Sequence, residues 1–471
     1  MLFTSPVFLF LFLPVVLTAY YLSPPSWRNT LLLSASLLFY AWGEVFYTFA
    51  LLFSVLVNHF LGLRLGQATP ARRRLLLSLG IGFNLALLGW FKYANFIVAN
   101  INTVLLDAGL ATLSWRTVHL PLGISFFTFQ ALSYLIDIYR QEVKPQTRWT
   151  ETALYITLFP QLIAGPIVRY HDIARQLLQR TVNSALFLSG CRRFIIGLAK
   201  KILLANTLGQ TADQIFAQTP EQLGAAEAWL GVICYTLQIY FDFSAYSDMA
   251  IGLGRMFGFR FLENFNYPYI ARSVQAFWRR WHMSLSSWFR DYLYIPLGGS
   301  RCAPWRVYFN LLLVFLLCGF WHGASWNFIV WGAWHGIFLA LERTQFGTAL
   351  TSLWRPLQHF YTLLVVMLGW VFFRAEDLSH ATAYLQAMSR FSQDTAAALY
   401  YLSTGLSVTL LVAVMLSMPL YRTLTARLQP MLERTPGGYC AVHILAYGGL
   451  LGLSLLNIAA NTYDPFIYFR F

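Results

Sequence analysis

Apolar positions in this chain come in long blocks and do not alternate with polar ones. Runs of helix-compatible length occupy residues 5–22, 30–42, 45–63, 75–91, 118–138, 151–168, 184–206, 226–254, 307–322, 324–341, 357–373, 400–420 and 440–460. Blocks that are apolar all round, with no polar stripe, are the pattern of helices solvated by lipid. At about 20 residues per span they predict about 11 full spans, with the remainder re-entrant or interfacial. Pro121 and Gly123 interrupt the fifth run, and Pro160, Gly165 and Pro166 interrupt the sixth. Irregular backbone of that kind is tolerated at membrane depth only inside protein or beside a water-filled cavity. The opening stretch, MLFTSPVFLFLFLPVVLTAYYL, has no basic leading region and no A-x-A site, so it reads as a retained first helix. The pattern therefore predicts an all-α, polytopic integral membrane protein forming a single membrane domain over 1–471.

Composition sharpens this picture. Apolar residues make up 58% of the 471 positions and charged residues 11%, with 40 Phe, 26 Tyr and 16 Trp. An ordinary soluble domain carries about 25% charge, and this chain has too little polar side chain to cover a soluble particle. A soluble enzyme, a disordered chain and a secreted disulfide scaffold are excluded. The cysteines, Cys191, Cys234, Cys302, Cys318 and Cys440, are odd in number and widely spaced, which predicts free, packed thiols and no metal site.

The net charge is +14. Its cations gather between apolar runs, as at Arg72–Arg73–Arg74, Arg192–Arg193 and Lys200–Lys201. Such clusters mark cytoplasmic helix ends and anionic headgroups. No contiguous basic face suits nucleic acid, so no nucleic-acid partner is expected. Arg28 follows the first run, and Arg64 with Arg72 to Arg74 follows the third, whereas the turn between the second and third carries only Glu44. The bias predicts an N-terminus outside and both basic loops in the cytoplasm.

Residues 255–306 differ from their surroundings. They hold Arg255, Arg260, Arg272, Arg279, Arg280, Arg290, Arg301 and Arg306 against two acids, Glu263 and Asp291, and interleave them with Phe277, Trp278, Trp281, Trp288, Phe289 and Tyr292. This predicts amphipathic helices lying in or dipping into the membrane. The same chemistry suits an interfacial anchor or a grip on an anionic cofactor tail, with guanidinium on phosphate.

Ionisable residues inside apolar runs point to chemistry, because inserting one costs about 3 kcal/mol. His322 has apolar sequence on both sides. A buried neutral imidazole can serve as general base towards a hydroxyl, or can be a core histidine satisfied by a neighbour. His282 follows Arg279–Arg280–Trp281 and suits an interfacial role as well, while His335 suits packing. Asp242 and Asp248 lie within the run 226–254; they can line a polar path or pair with Arg279, Arg280 or Arg290. Together with His322 they would also suit a proton or ion relay in a transporter or flippase; a third reading is a scaffold without chemistry of its own. Asp137 beside Arg140 reads as a helix-end pair. Zinc-protease, Walker A, Rossmann and nucleophile-elbow patterns are absent from the sequence.

The strings FWRRWHMSLSSWFRDYLYIPLGG (277–299) and GFWHGASWNFIVWGAWHG (319–336) closely resemble the membrane-bound O-acyltransferase family. YFDFSAYSDMAIGLGRMFGFRFLENFNYPY (240–269) resembles its bacterial polysaccharide branch, as do LPLGISFFTFQALSY (120–134), LFPQLIAGPIVR (158–169) and the closing DPFIYFRF. The resemblance implies one membrane domain of that type over 1–471, with about 11 spans and interfacial helices around a funnel. It implies a bacterial inner-membrane O-acetyltransferase with two catalytic histidines, His322 and His282. The donor would be a cytoplasmic thioester, acetyl-CoA, with no tightly bound cofactor. The acceptor would be an exported polysaccharide, alginate first, with cellulose, peptidoglycan or teichoic acid as alternatives and a periplasmic acetyltransferase as partner. On this reading Arg279, Arg280 and Arg290 hold the donor, and Trp321, Trp278 and Tyr246 line the acyl passage.

Overall fold

A computed structural model describes residues 1–391, 396–420, 436–460, 463–465 and 467. Among them there are helices and no strand. The chain divides into two compact units, Met1–Cys191 with Ala250–Leu262, and Arg192–Met249 with Glu263–Phe471.

The first unit is built on Leu13–Leu22, Arg28–Ala41, Tyr47–Gln67, Pro70–Leu88 and Ile124–Tyr139. Phe8, Phe12, Phe39 and Phe159 pack with ring centroids 5.4–6.3 Å apart. Asn58 and Asn84 exchange amide hydrogen bonds of 3.1 and 2.7 Å across two neighbouring helices, the polar glue that lipid-embedded helices use. The run 75–91 extends further than its apolarity suggests, because a π-turn at Gly89–Tyr93 carries the helix on to Asp107. The fifth run starts late, at Ile124, after Pro121, which has no N–H to give a helix interior. The sixth breaks into Trp149–Thr157 and Phe159–Leu162 around Pro160. Buried Asp137 accepts from the backbone N–H of His171 at 3.0 Å and lies 3.0 Å from its Nδ1.

In the second unit, Pro304–His322 and Trp326–Leu341 form an αα-hairpin, and Arg355–Arg374 packs against the latter. Asp242 and Asp248 do not pair with Arg279, Arg280 or Arg290, one of the roles the sequence left open to them. Asp242 meets Lys201 at 2.8 Å; Asp248 meets Lys200 at 2.7 Å and Arg193 at 2.6 Å. Arg193 and Lys200 are seven residues apart, so two helical turns put them on one face, with Asp248 between them.

Residues 257–306 hold only short elements before Pro304, chiefly Val274–Trp278, Met283–Phe289 and a π-turn at Arg290–Tyr294. Trp278, Trp281 and Trp288 are buried, while Arg279 and Arg290 are exposed. The cations thus point away from the faces that bury the aromatics, which is why they miss the carboxylates. Glu342, just past the end of Trp326–Leu341, accepts from the N–H groups of Val274 and Gln275 at 2.6 and 2.9 Å, and so satisfies the first orphan donors of that short helix.

Among the described residues five helices are long and apolar enough to cross a membrane: Tyr47–Gln67, Pro70–Asp107, Pro304–His322, Arg355–Arg374 and Ala441–Ala460. Shorter apolar helices are Phe8–Leu22, Ile124–Tyr139, Trp326–Leu341 and Thr404–Leu416.

Candidate active site

His322 is the last residue of Pro304–His322, and Gly323 ends the helix with extended backbone. Its ring is 4% exposed. Trp321, Trp331 and Phe373 stand around it, with centroids 5.0, 5.1 and 5.2 Å away, all near edge-on. Trp331 comes from the second arm of the hairpin and Phe373 from Arg355–Arg374, so three helices meet at this imidazole.

His282 is fully buried, and its ring centroid lies 6.4 Å from that of His322 and 6.3 Å from Trp321. Its backbone is left-handed, with φ at +43°, a conformation that costs a non-glycine residue free energy unless its surroundings hold it. Asn264 supplies that hold. Its carbonyl oxygen Oδ1 accepts from the backbone N–H of Ser284 at 3.2 Å and from the Ser284 hydroxyl at 2.9 Å, and lies 3.1 Å from His282 Nδ1. Its Nδ2 donates to Ser247 Oγ at 3.0 Å, and its backbone carbonyl accepts from Met283 N–H. A backbone N–H can only donate, so the atom facing it is the amide oxygen. His282 therefore carries its proton on Nδ1, and Nε2 keeps the lone pair.

Both histidines named from sequence thus fall in one buried cluster. Trp321 lies against both rings. Trp278 is buried edge-on to Trp331 and His335, one ring further out. Tyr246 is buried on Ala225–Met256, three residues beyond Phe243, whose ring is 4.6 Å from that of His282. The arginines are placed differently. Arg279 is exposed, Arg280 donates to the Asn266 carbonyl at 3.0 Å, and Arg290 is bidentate to Asp291 at 2.7 and 3.1 Å.

Sequence reasoning missed Asn264, Trp331, Phe373 and the cage around His335. Among the described residues neither ring nitrogen of His335 has a polar partner. Trp278 and Trp331 each flank it at 5.1 Å. The echoed Trp-His-Gly at 321–323 and 334–336 was the available signal. Beyond Phe373 lies a cavity of about 30 Å³ lined by Asp213, Arg374, Pro465 and Ile467 among others. The segment that reaches it is tied down by the buried pair, since Asp242 Oδ2 accepts from Ile467 N–H at 3.0 Å and Lys201 donates to the Pro465 carbonyl. Tyr463 adds a 2.7 Å bond to Asp213. The rest of the closing motif, apart from Asp464, lies outside the described residues.

The sequence model of the MBOAT, membrane-bound O-acyltransferase family matches residues 140–378. The chain is 44% identical to the probable alginate O-acetylase AlgI of Pseudomonas putida and 46% identical to that of Pseudomonas aeruginosa, in each case over the whole of both chains. It is also 39% identical to the peptidoglycan O-acetyltransferase of Helicobacter pylori, over 82% of this chain and 80% of that one.

Proposed function

The chain belongs to the membrane-bound O-acyltransferase family and is a multi-pass membrane acyltransferase, and from that premise we propose that it moves acetyl from a cytoplasmic thioester to alginate, with His322 as general base. Acetyl-CoA is the donor of this reading, the bacterial inner membrane its site, and a periplasmic acetyltransferase the partner that hands the group on where transfer is indirect.

His322 takes the proton of the attacking hydroxyl as its oxygen adds to the thioester carbonyl. The carbon–sulfur bond then breaks, and the imidazolium returns the proton to the leaving thiolate. General-base assistance is worth about 10²–10⁴-fold. His282, with its proton committed to Asn264, presents Nε2 as an acceptor that orients the hydroxyl or His322 itself. The aromatic walls exclude water that would hydrolyse the thioester. Trp321, Trp278 and Tyr246 are the walls of the acyl passage in this scheme. Arg279 and Arg280 are the residues left to meet donor phosphates, and Arg290 would have to leave Asp291 to join them.

The observation that carries this reading is the pair of buried imidazoles 6.4 Å apart in an aromatic box. Replacing His322 by Ala in the producing strain tests it. Polysaccharide acetylation, read by mass spectrometry of the exported polymer, is expected to fall by about 10²-fold or more, with membrane levels of the protein unchanged. Acetylation at wild-type level in that strain refutes the role. Unchanged alginate acetylation in a deletion strain refutes the acceptor and directs attention to peptidoglycan, the substrate named for the Helicobacter relative.

A further inference from the structure

Within the first unit, the start of Arg28–Ala41, the end of Tyr170–Leu178 and the loop after Met256 enclose an open cleft of about 560 Å³. Arg28, Arg180 and Arg260 all line it, and no carboxylate is among the described residues that do. Three cations at one cleft without a counter-charge repel one another, a cost proteins accept where an anion is to be bound.

Their settings differ in a way that suits that use. Arg180 is fixed: it donates to Asn29 Oδ1 at 2.7 Å, to the Tyr20 hydroxyl at 3.0 Å and to the Phe257 carbonyl at 3.1 Å. Its guanidinium also lies 4.5 Å from the centre of the Phe259 ring. Arg28 sits 5.1 Å from the centre of the Tyr20 ring, and its buried Nε has no partner among the described residues. Arg260 is exposed; its backbone N–H and carbonyl are both engaged by Gln176, which sets where its side chain starts. One anchored guanidinium, one with an unspent donor and one free to close over a ligand make a fork suited to phosphate oxygens. The volume lies within the range of small-ligand sites and exceeds what a lone ion needs.

We propose that this cleft binds a phosphate-bearing ligand through Arg28, Arg180 and Arg260, apart from the chemistry assigned to His322. The charge bias puts Arg28 at the cytoplasmic end of the first span. There the same phosphate chemistry comes from two sources, the nucleotide end of a coenzyme A thioester or the headgroup of an anionic phospholipid.

The test uses the full-length protein in phosphatidylcholine nanodiscs, wild type against the double variant Arg28→Gln, Arg260→Gln. Arg180 is left in place because it also ties the fold together. Two probes are measured, radiolabelled coenzyme A and retention of doped phosphatidylglycerol by native mass spectrometry. Removing one guanidinium–phosphate bond is expected to weaken binding about tenfold, so the double variant binds about 100-fold more weakly to the probe that uses the cleft. Loss for coenzyme A shows that its phosphates are held by this cleft and not by Arg279 and Arg280, and loss for phosphatidylglycerol assigns a lipid headgroup. If wild type binds neither probe, or the double variant binds both as well as wild type does, the proposal is overturned. Should the glutamine variant not fold, Arg28→Lys, Arg260→Lys keeps the charge, loses the fork and is expected to weaken binding about tenfold. His322→Ala keeps full binding in every arm, which separates failure here from failure of the catalytic reading.

Discussion

Asn264 Oδ1 faces three donors, and that crowding sets the state of His282. An amide oxygen so placed holds the ring in one tautomer and supports its left-handed backbone. Asn264→Asp keeps the acceptor geometry but puts a carboxylate about 3 Å from Nδ1, where it favours imidazolium. Protonated His282 has no lone pair on Nε2, so acetyl transfer by the variant is expected to fail at acid pH and to recover as pH rises. The wild type lacks that contribution from His282, so the variant's loss is expected to begin at higher pH than the wild type's. A pH profile of transfer in membranes checks it, and a profile that superimposes on wild type sinks the orienting role of Asn264. The two histidines were legible in the sequence because long motifs surround them. Asn264 was not, because its partners Ser247, His282 and Ser284 lie 17 to 20 residues away along the chain, and an asparagine in a loop looks like a turn residue. The partners of Asp242 and Asp248 were misjudged for a related reason. Closeness in sequence favoured the arginines after 272, but matching depth on a neighbouring helix favoured Lys200, Lys201 and Arg193.

The hairpin that presents His322 depends on two helices whose backbones nearly touch. A Cβ on Gly319 would collide with the Phe328 carbonyl, and one on Gly332 with the Phe315 carbonyl. Small residues at such crossings are how lipid-embedded helices approach closely, and a backbone carbonyl has no rotamer with which to yield. Gly319→Val or Gly332→Val is therefore expected to cost about 3 kcal/mol or more, and to remove most of the monodisperse protein in size-exclusion chromatography of detergent extracts. Gly82→Ala is the control; a Cβ there meets nothing within 4 Å, and the exchange is expected to be neutral or to stabilise by about 0.5–1 kcal/mol. Equal yields from all three variants contradict the close crossing. Helix positions were largely legible, since the runs 307–322, 324–341 and 357–373 match the elements to within a few residues. The stretch 94–107 was hidden by its asparagines. Asn95 holds Val118 and Trp115 at 2.7–2.9 Å, and Asn102 holds Leu113 at 2.8 Å, so these polar residues pin the following loop to the helix.

On the scale of the whole molecule, exposed apolar side chains mark where lipid replaces water. Phe46, Phe49 and Phe53 on Tyr47–Gln67 and its approach are 83%, 71% and 55% exposed, values a water-facing surface would not sustain over successive turns. Indoles stand at helix starts: Trp27 before Arg28–Ala41, Trp305 in the first turn of Pro304–His322, Trp354 before Arg355–Arg374, each more than 60% exposed. That is the interfacial placement of amphipathic rings. Tyr47–Gln67 is 21 residues long, about 30 Å at 1.5 Å per residue, enough to cross the hydrocarbon once. Its two ends are therefore expected on opposite faces, and the basic cluster after it predicts a cytoplasmic Gln67 end. Thr69 is exposed and makes no side-chain cap, and Gly43 is exposed with free space around its Cβ, so each accepts a cysteine without disturbing the fold. In a chain whose five native cysteines are serine, Gly43→Cys is expected to react with a membrane-impermeant maleimide on intact spheroplasts. Thr69→Cys is expected to react only after lysis. The opposite pattern reverses the direction in which Tyr47–Gln67 crosses the membrane and overturns the orientation read from the charge bias.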